Sequence, residues 1–248
     1  MEFYQEIKAR INRSNVMDMV PQLRGLTLGE RELLARQTGT RVVYLGEEVD
    51  KVRKAEEEAA LRARPVGFEP AALNGINVGC GNRLITPHLT PVDIARDAVD
   101  GGHAMASQNA WLASPDNLPF RAGTVDYIVA LHVLEHIHDP VATIRYWLDL
   151  LRPGGGIGLV LPDWRYQWDA RNDVSLYGHK WNSCPDVMLG AYHRHLAGIC
   201  ILEALATIPY KGSFDVVLRK PGHFQPFSLD HVPPPARRDH DPTGMAIL

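Results

Sequence analysis

A central, mostly parallel sheet flanked by helices is the fold class this 248-residue chain predicts, and three observations carry it. Residues 71 to about 163 alternate strand-like with helix-like segments, as an α/β arrangement requires. Val125 to Leu131 is nearly continuous apolar sequence, the mark of a strand covered on both faces. The short apolar run Gly75-Ile76-Asn77-Val78 leads straight into Gly79-Cys80-Gly81, where missing Cβ atoms let the backbone bend sharply and approach a ligand.

Taken in order, residues 1–70 read as a helical N-terminal extension. A capping box, Thr27-Leu28-Gly29-Glu30, opens a helix over Arg31 to Gln37, and Glu47 to Arg64 is charged almost all round. Such a segment cannot make a core of its own. Arg64-Pro65-Val66-Gly67-Phe68-Glu69-Pro70 breaks the helix and serves as a linker into a domain spanning 71–248. Within it, Gly75 to Val78 is the first strand and Pro91-Val92-Asp93-Ile94 the second. Pro87 and Pro91 leave no room for a full crossover helix between them, which usually needs a dozen or more residues.

Asp139-Pro140 caps and starts a helix whose apolar stripe is Val141, Ile144, Leu148 and Leu151; Pro153-Gly154-Gly155 stops it, and Ile157 to Leu161 is the next strand. Leu189 to Ala206 reads as a helix, Phe214 to Arg219 as a strand, and Gly244 to Leu248 as a final strand. Two stretches read as insertions on the substrate side. Residues 164–190 carry Trp164, Tyr166, Trp168, Tyr177 and Trp181 among charges, and 221–243 form a long loop rich in Pro and His.

The glycine turn points to a nucleotide-like ligand, and Asp93, at the end of the second strand, is placed to accept both hydroxyls of a ribose. A dinucleotide fingerprint wants a third glycine where Leu84 stands and an acid roughly 20 residues on, later than Asp93. That spacing disfavours a nicotinamide dehydrogenase.

Five motifs then follow in order: Gly79-Cys80-Gly81, Asp93, Asn117-Leu118-Pro119-Phe120 with Val125-Asp126, Leu134-Glu135-His136, and Leu151-Arg152-Pro153-Gly154-Gly155. In these the chain resembles the class I S-adenosylmethionine-dependent methyltransferases of small-molecule type, methyltransferase type 11-like, over roughly residues 74 to 163. The resemblance implies a Rossmann-like methyltransferase fold with S-adenosyl-L-methionine as cofactor. It places Gly79, Cys80 and Gly81 along the methionine and ribose, Asp93 with Ile94 at the ribose hydroxyls, Asn117 and Leu118 beside adenine, and Leu131 and His132 closing the site. In that family a carboxylate commonly stands where this chain has Ser114, so Ser114 and the nearby Asp116 are the candidates for the adenine amino group. The extension becomes a lid or the arm of a homodimer, with Phe3 or Tyr4 reaching substrate.

Methyl transfer needs the acceptor held in line and, where it bears a proton, a base to remove it. Histidine titrates near ~6.5 and suits that task; His136 is the first candidate, followed by His132 and His179. His132-Val133-Leu134-Glu135-His136 also spells the His-x-x-Glu-His of a zinc peptidase class, for which Glu203 would be the distant ligand. That class needs both histidines on one helix face, whereas here the motif leaves a buried strand. A methyltransferase subgroup acting on quinol precursors binds a divalent ion with Glu-x-x-Glu-His, but His132 replaces the first Glu, and no metal ligand is assigned.

A formal net charge of −3 offers no global field for nucleic acid. No stretch approaches the ~18 to 20 apolar residues of a membrane span, and the first eight residues lack the apolar region of a signal peptide. Cys80, Cys184 and Cys200, odd in number and widely spaced, suit a reduced compartment. The expectation is a cytoplasmic enzyme methylating an O, N or C atom of a small molecule in secondary or lipid-linked metabolism. The alternative is a catalytically silent cofactor-binding partner subunit.

Overall fold

The computed structural model describes residues 23–38, 47–83, 85–94, 109–166, 169–172, 178–208 and 212–225. Phe3, Tyr4, Trp168, Tyr177, most of the 221–243 loop and the strand expected at Gly244 to Leu248 lie outside them. Seven strands form one sheet in the order β3-β2-β1-β4-β5-β7-β6. They are β1 (Gly75–Val78), β2 (Leu89–Asp93), β3 (Trp111–Leu112), β4 (Val125–Leu131), β5 (Leu151–Pro162), β6 (Ile201–Ile208) and β7 (Ser213–Arg219). The first five pair in parallel, and β7 runs antiparallel to both β5 and β6. The sheet is therefore mostly parallel, as expected, and joins the Rossmann-like class.

β4 is buried along its whole length, with β1 on one side and β5 on the other. Its side chains alternate between two cores, as the period of a strand dictates. Ile128 and Ala130 face one core, shared with Ile144, Trp147 and Leu148 of helix α3 (Pro140–Leu150) and Met188 of helix α4 (Pro185–Ala191). Tyr127, Val129 and Leu131 face the other, shared with Ala59 and Ala60 of helix α2 (Glu47–Leu61). Helix α2 carries charge on most of its surface, yet it turns Val52, Glu56, Ala59 and Ala60 inward. It approaches β5 at Gly158, where a Cβ would run into the Ala60 carbonyl. Helix α1 (Leu28–Thr38) has the expected capping box: the Glu30 carboxylate accepts the Thr27 N–H at 2.8 Å, and the Thr27 hydroxyl accepts the Glu30 N–H at 3.3 Å. It is tied to α2 by Arg31 on Glu48 at 2.6 Å.

Three sequence expectations change. The helix expected over Leu189 to Ala206 is a short helix, a π-turn (Tyr192–Leu196), and then strand β6. Leu, Glu and Ala favour helix locally, but the ladder offered by β7 overrides that preference. The helix expected to reach Leu151 ends at Leu150, because Leu151 already pairs with Val125 in β5. β2 starts two residues before Pro91, and between it and β1 the described residues form no helix.

Gly158 should be intolerant of side chains. Gly158→Ala is expected to cost about 1 to 3 kcal/mol, the usual range for overpacking, read from urea unfolding. Gly29→Ala, with nothing within 4 Å of a would-be Cβ, should leave stability unchanged or raised by up to about 1 kcal/mol.

Candidate functional site

The sheet order reverses between β1 and β4, and open α/β sheets bind ligands at such a switch point, beyond the carboxyl ends of the strands. Four loops meet there. Gly79 and Gly81 have φ of 64° and 50°, in the left-handed region. At Gly79 a Cβ would strike Val133, which follows β4, so the turn after β1 closes against the end of β4. At Gly81 nothing lies within 4 Å of a would-be Cβ, so this backbone faces open space that a ligand can enter. Cys80 is buried against Ala110, and no two cysteines are joined by a disulfide.

Asp93 ends β2 beside this turn. Its carboxylate accepts the Gly81 N–H and the Ile94 N–H, each at 2.8 Å, which leaves one lone pair on each oxygen for a diol. The exposed Ile94 stands next to it. The Ala113 N–H donates to the Asp93 carbonyl at 2.9 Å, so the loop 114–118 starts alongside. In that loop the Ser114 hydroxyl donates to the Asp116 carboxylate, and the Asn117 N–H closes the turn on the Ser114 carbonyl at 3.0 Å. Trp147 and Tyr146 of α3 fasten the loop from below: the indole N–H donates to the Pro115 carbonyl at 2.7 Å, and the Tyr146 hydroxyl bonds both the N–H and carbonyl of Leu118. Ser114, Asp116 and Asn117 are exposed, whereas Leu118 and Leu131 are buried in the two cores. A nucleoside with a diol fits this row of backbone amides, carboxylate and apolar floor.

Beyond β4 the chain passes through His132, a non-glycine residue with φ of 57°, and makes a 3₁₀ turn over Leu134–His136. The two histidines of the peptidase signature therefore do not share a helix face, and Glu203 sits on edge strand β6, paired with Arg219 at 2.7 Å. Instead, all three candidate histidines gather on Glu135, which is 1% exposed. His132 Nδ1 lies 3.4 Å and His136 Nε2 3.9 Å from Glu135 Oε1, and the His179 ring meets the His136 ring edge to face at 5.0 Å. His179 is delivered by the aromatic insertion, which Lys180 N–H and the Trp181 indole pin to the Glu135 and Leu134 carbonyls at 2.8 and 3.0 Å. Burial alone would raise the Glu135 carboxyl, but the His132 hydrogen bond and the charges of His132, His136 and His179 outweigh it and hold it below the usual range. Glu135 Oε2 and His136 Nδ1 are buried with no hydrogen-bond partner among the described residues, so the pocket has polar capacity that the protein leaves unused.

Two residues had no role in the sequence reading. Arg83, just past the glycine turn, donates to Glu56 of α2 at 2.8 Å, and Glu56 also meets His132 Nε2 at 2.7 Å. The available signal was the spacing of Val52, Glu56, Ala59, Ala60 and Ala63, one helix face of small or apolar residues with a carboxylate in its midst.

A family profile described as a methyltransferase domain matches residues 47–196. The ubiquinone biosynthesis O-methyltransferase of Xanthomonas axonopodis pv. citri is 32% identical over 105 residues, 37% of this chain and 44% of that protein. The protein of the same description from Marinobacter nauticus is 26% identical over 100 residues, 34% of this chain and 42% of its own length. The chain thus spans less than half the length of these curated relatives. Among solved structures, a chain of the Haloferax volcanii complex between the Trm112 methyltransferase activator and a methyltransferase has the same fold, with TM-score 0.51 at 14% identity over 70% of this chain and 92% of that one.

The lowered Glu135 carboxyl sets a pH dependence. Its ionised form contributes stability above the unfolded value of about 4.3, and the contribution is lost as pH falls through the lower folded value. Urea unfolding at stepped pH should show the wild type losing stability below about pH 4.3 more steeply than Glu135→Gln; parallel curves would remove this carboxylate from the account.

Proposed function

This chain belongs to the methyltransferase-domain family, and we propose that it moves a methyl group from S-adenosylmethionine to a hydroxyl oxygen of a small molecule with an apolar or aromatic body. The observation that carries the proposal is the buried Glu135 with three histidines around it, set at the end of β4 against the glycine turn. Proton-removing machinery of that kind suits an acceptor that bears a proton. The relatives named as O-methyltransferases support oxygen. The insertion bearing Trp164, Tyr166 and Trp181 supports an aromatic or apolar body.

In this reading Gly79, Cys80 and Gly81 line the methionine and ribose, Asp93 with Ile94 takes the ribose hydroxyls, and Ser114, Asp116, Asn117 and Leu118 flank adenine, with Leu131 beneath. The bound cofactor supplies an electrophilic methyl on a sulfonium. The chain's own residues orient the acceptor and move its proton. His132 has a carboxylate at each ring nitrogen, Glu56 at 2.7 Å and Glu135 at 3.4 Å, so we assign it to positioning. His136 takes the proton, with the Glu135 charge 3.9 Å away to stabilise the imidazolium and His179 packed against the ring. A second reading comes from the same cluster. Donor atoms of Glu135, His136 and His179 all lie within 4.8 Å of one another, and two histidines with a carboxylate suit a zinc-like ion that would lower the acceptor's pKa.

Two measurements test the reading. Asp93→Ala should weaken S-adenosylhomocysteine binding at least about tenfold in calorimetry, since charge-assisted hydrogen bonds contribute about 1.5 to 3 kcal/mol each; wild-type affinity in that variant would remove Asp93 from the site. His136→Ala should lower turnover of labelled methyl into a panel of phenols and catechols by about 10² or more, the range of general-base catalysis, with homocysteine-cofactor affinity little changed. Wild-type turnover that survives EDTA supports the base, and turnover lost to EDTA and restored by a divalent ion supports the second reading. A chain that binds the cofactor and methylates nothing, even in an extract of its source, is a binding subunit.

A further inference from the structure

We infer that Glu56, on α2 and outside every motif of the site, is a positioning residue that joins the methyl-donor turn to the histidine cluster; the inference rests on the proposal that this site transfers methyl groups. Glu56 is 0% exposed, and a carboxylate is almost never buried to that degree unless it is paired. Its two oxygens serve different parts of the site. Oε2 accepts from the Arg83 guanidinium at 2.8 Å, two residues past Gly81, and Oε1 meets His132 Nε2 at 2.7 Å, directly after β4. Arg83 is further held by Glu57 at 2.7 Å and by the Arg53 carbonyl, both on α2. His132 is held on its other nitrogen by Glu135, in a left-handed backbone conformation that is uncommon outside glycine.

One buried carboxylate therefore spans the gap between the turn facing the donor and the loop facing the acceptor. Packing alone does not call for it. Val52, Ala59 and Ala60 already seat α2 on the sheet, and replacing a buried ion pair by apolar side chains is often neutral or stabilising. In-line transfer does call for it, because a displacement of about 1 Å between reacting groups can cost about 10² in rate. When Glu56 is lost, Arg83 keeps Glu57 and the Arg53 carbonyl, whereas His132 Nε2 loses its carboxylate. The damage should fall on turnover more than on donor binding.

Two readouts on the full chain test this. In protein labelled with ¹⁵N-histidine, the bonded His132 Nε2–H should give a downfield, slowly exchanging proton signal that is absent from His132→Asn and moves upfield or is lost in Glu56→Gln, whose amide is a weaker acceptor than a carboxylate; a wild-type spectrum without it overturns the clamp whatever the enzyme does. In kinetics, Glu56→Gln should lower kcat by about 10²-fold with the KM for the methyl donor little changed. The double variant Glu56→Gln/His132→Asn should lose no more than the worse single variant, as expected of two groups acting as a unit. Wild-type turnover in Glu56→Gln, or additive losses in the double variant, overturns the positioning role. If Glu56→Gln does not fold, Glu56→Asp, which keeps the charge on a stem one methylene shorter, should show the same fall in kcat, and wild-type kcat there overturns the proposal. A bonded His132 signal in a protein that methylates no acceptor would instead refute the transfer reading while leaving the clamp in place.

Discussion

Burial of β4 on both faces is the constraint from which the rest of the molecule follows. A strand apolar but for Asp126, buried along its whole length between β1 and β5, has to be covered above and below, which is why α3 and α4 lie on one side and α2 on the other. Covering it brings α2 so close to β5 that glycine is needed at 158. The same strand must end where the sheet order reverses, so the first polar residues after it, His132, Glu135 and His136, emerge beside the turn after β1. The proposed chemistry sits there because the hydrophobic layer stops there.

A second consequence concerns charge. Two carboxylates, Glu56 and Glu135, are buried at this boundary, where leaving water costs several kcal/mol per ion. Each is met by polar partners: Arg83 and His132 for Glu56, and the imidazoles of His132, His136 and His179 for Glu135. His132 touches both carboxylates, so the two compensations share a member and the segments carrying them are held to a common geometry. Elsewhere the same logic serves folding alone. Asp215, 2% exposed on β7, is paired with Arg62 just beyond α2, and its burial pushes the carboxyl up.

What could be read from the sequence was whatever a local pattern encodes. The glycine turn, Asp93, the apolar run of β4, the Asp139-Pro140 helix start and the capping box at Thr27 are short-range signals, and each appears where it was expected. β6 was misread because an edge strand of Ile, Leu, Glu and Ala carries helix-like composition, and only pairing with β7 makes it a strand. The gathering of the three histidines on Glu135 was invisible for a different reason: His179 lies 44 residues beyond Glu135 in the chain, and only the pinning of its segment by Lys180 and Trp181 brings it back. Glu56 was hidden in a run of three glutamates, Glu56-Glu57-Glu58. A single buried member of such a run has no local mark, since burial is decided by which face of α2 meets the sheet.

In the proposed reading, Asp93 answers two demands at once. Its carboxylate already accepts the N–H groups of Gly81 and Ile94, and so holds the turn after β1 in its left-handed conformation before any ligand arrives. Glycine at 81 makes that conformation accessible, but glycine also makes it one state among many; the carboxylate selects it. An acceptor reserved wholly for a diol would leave the turn to be ordered on binding, at a cost to affinity. With one lone pair per oxygen committed to the turn and one left over, the same group can shape the turn and still accept from a ligand.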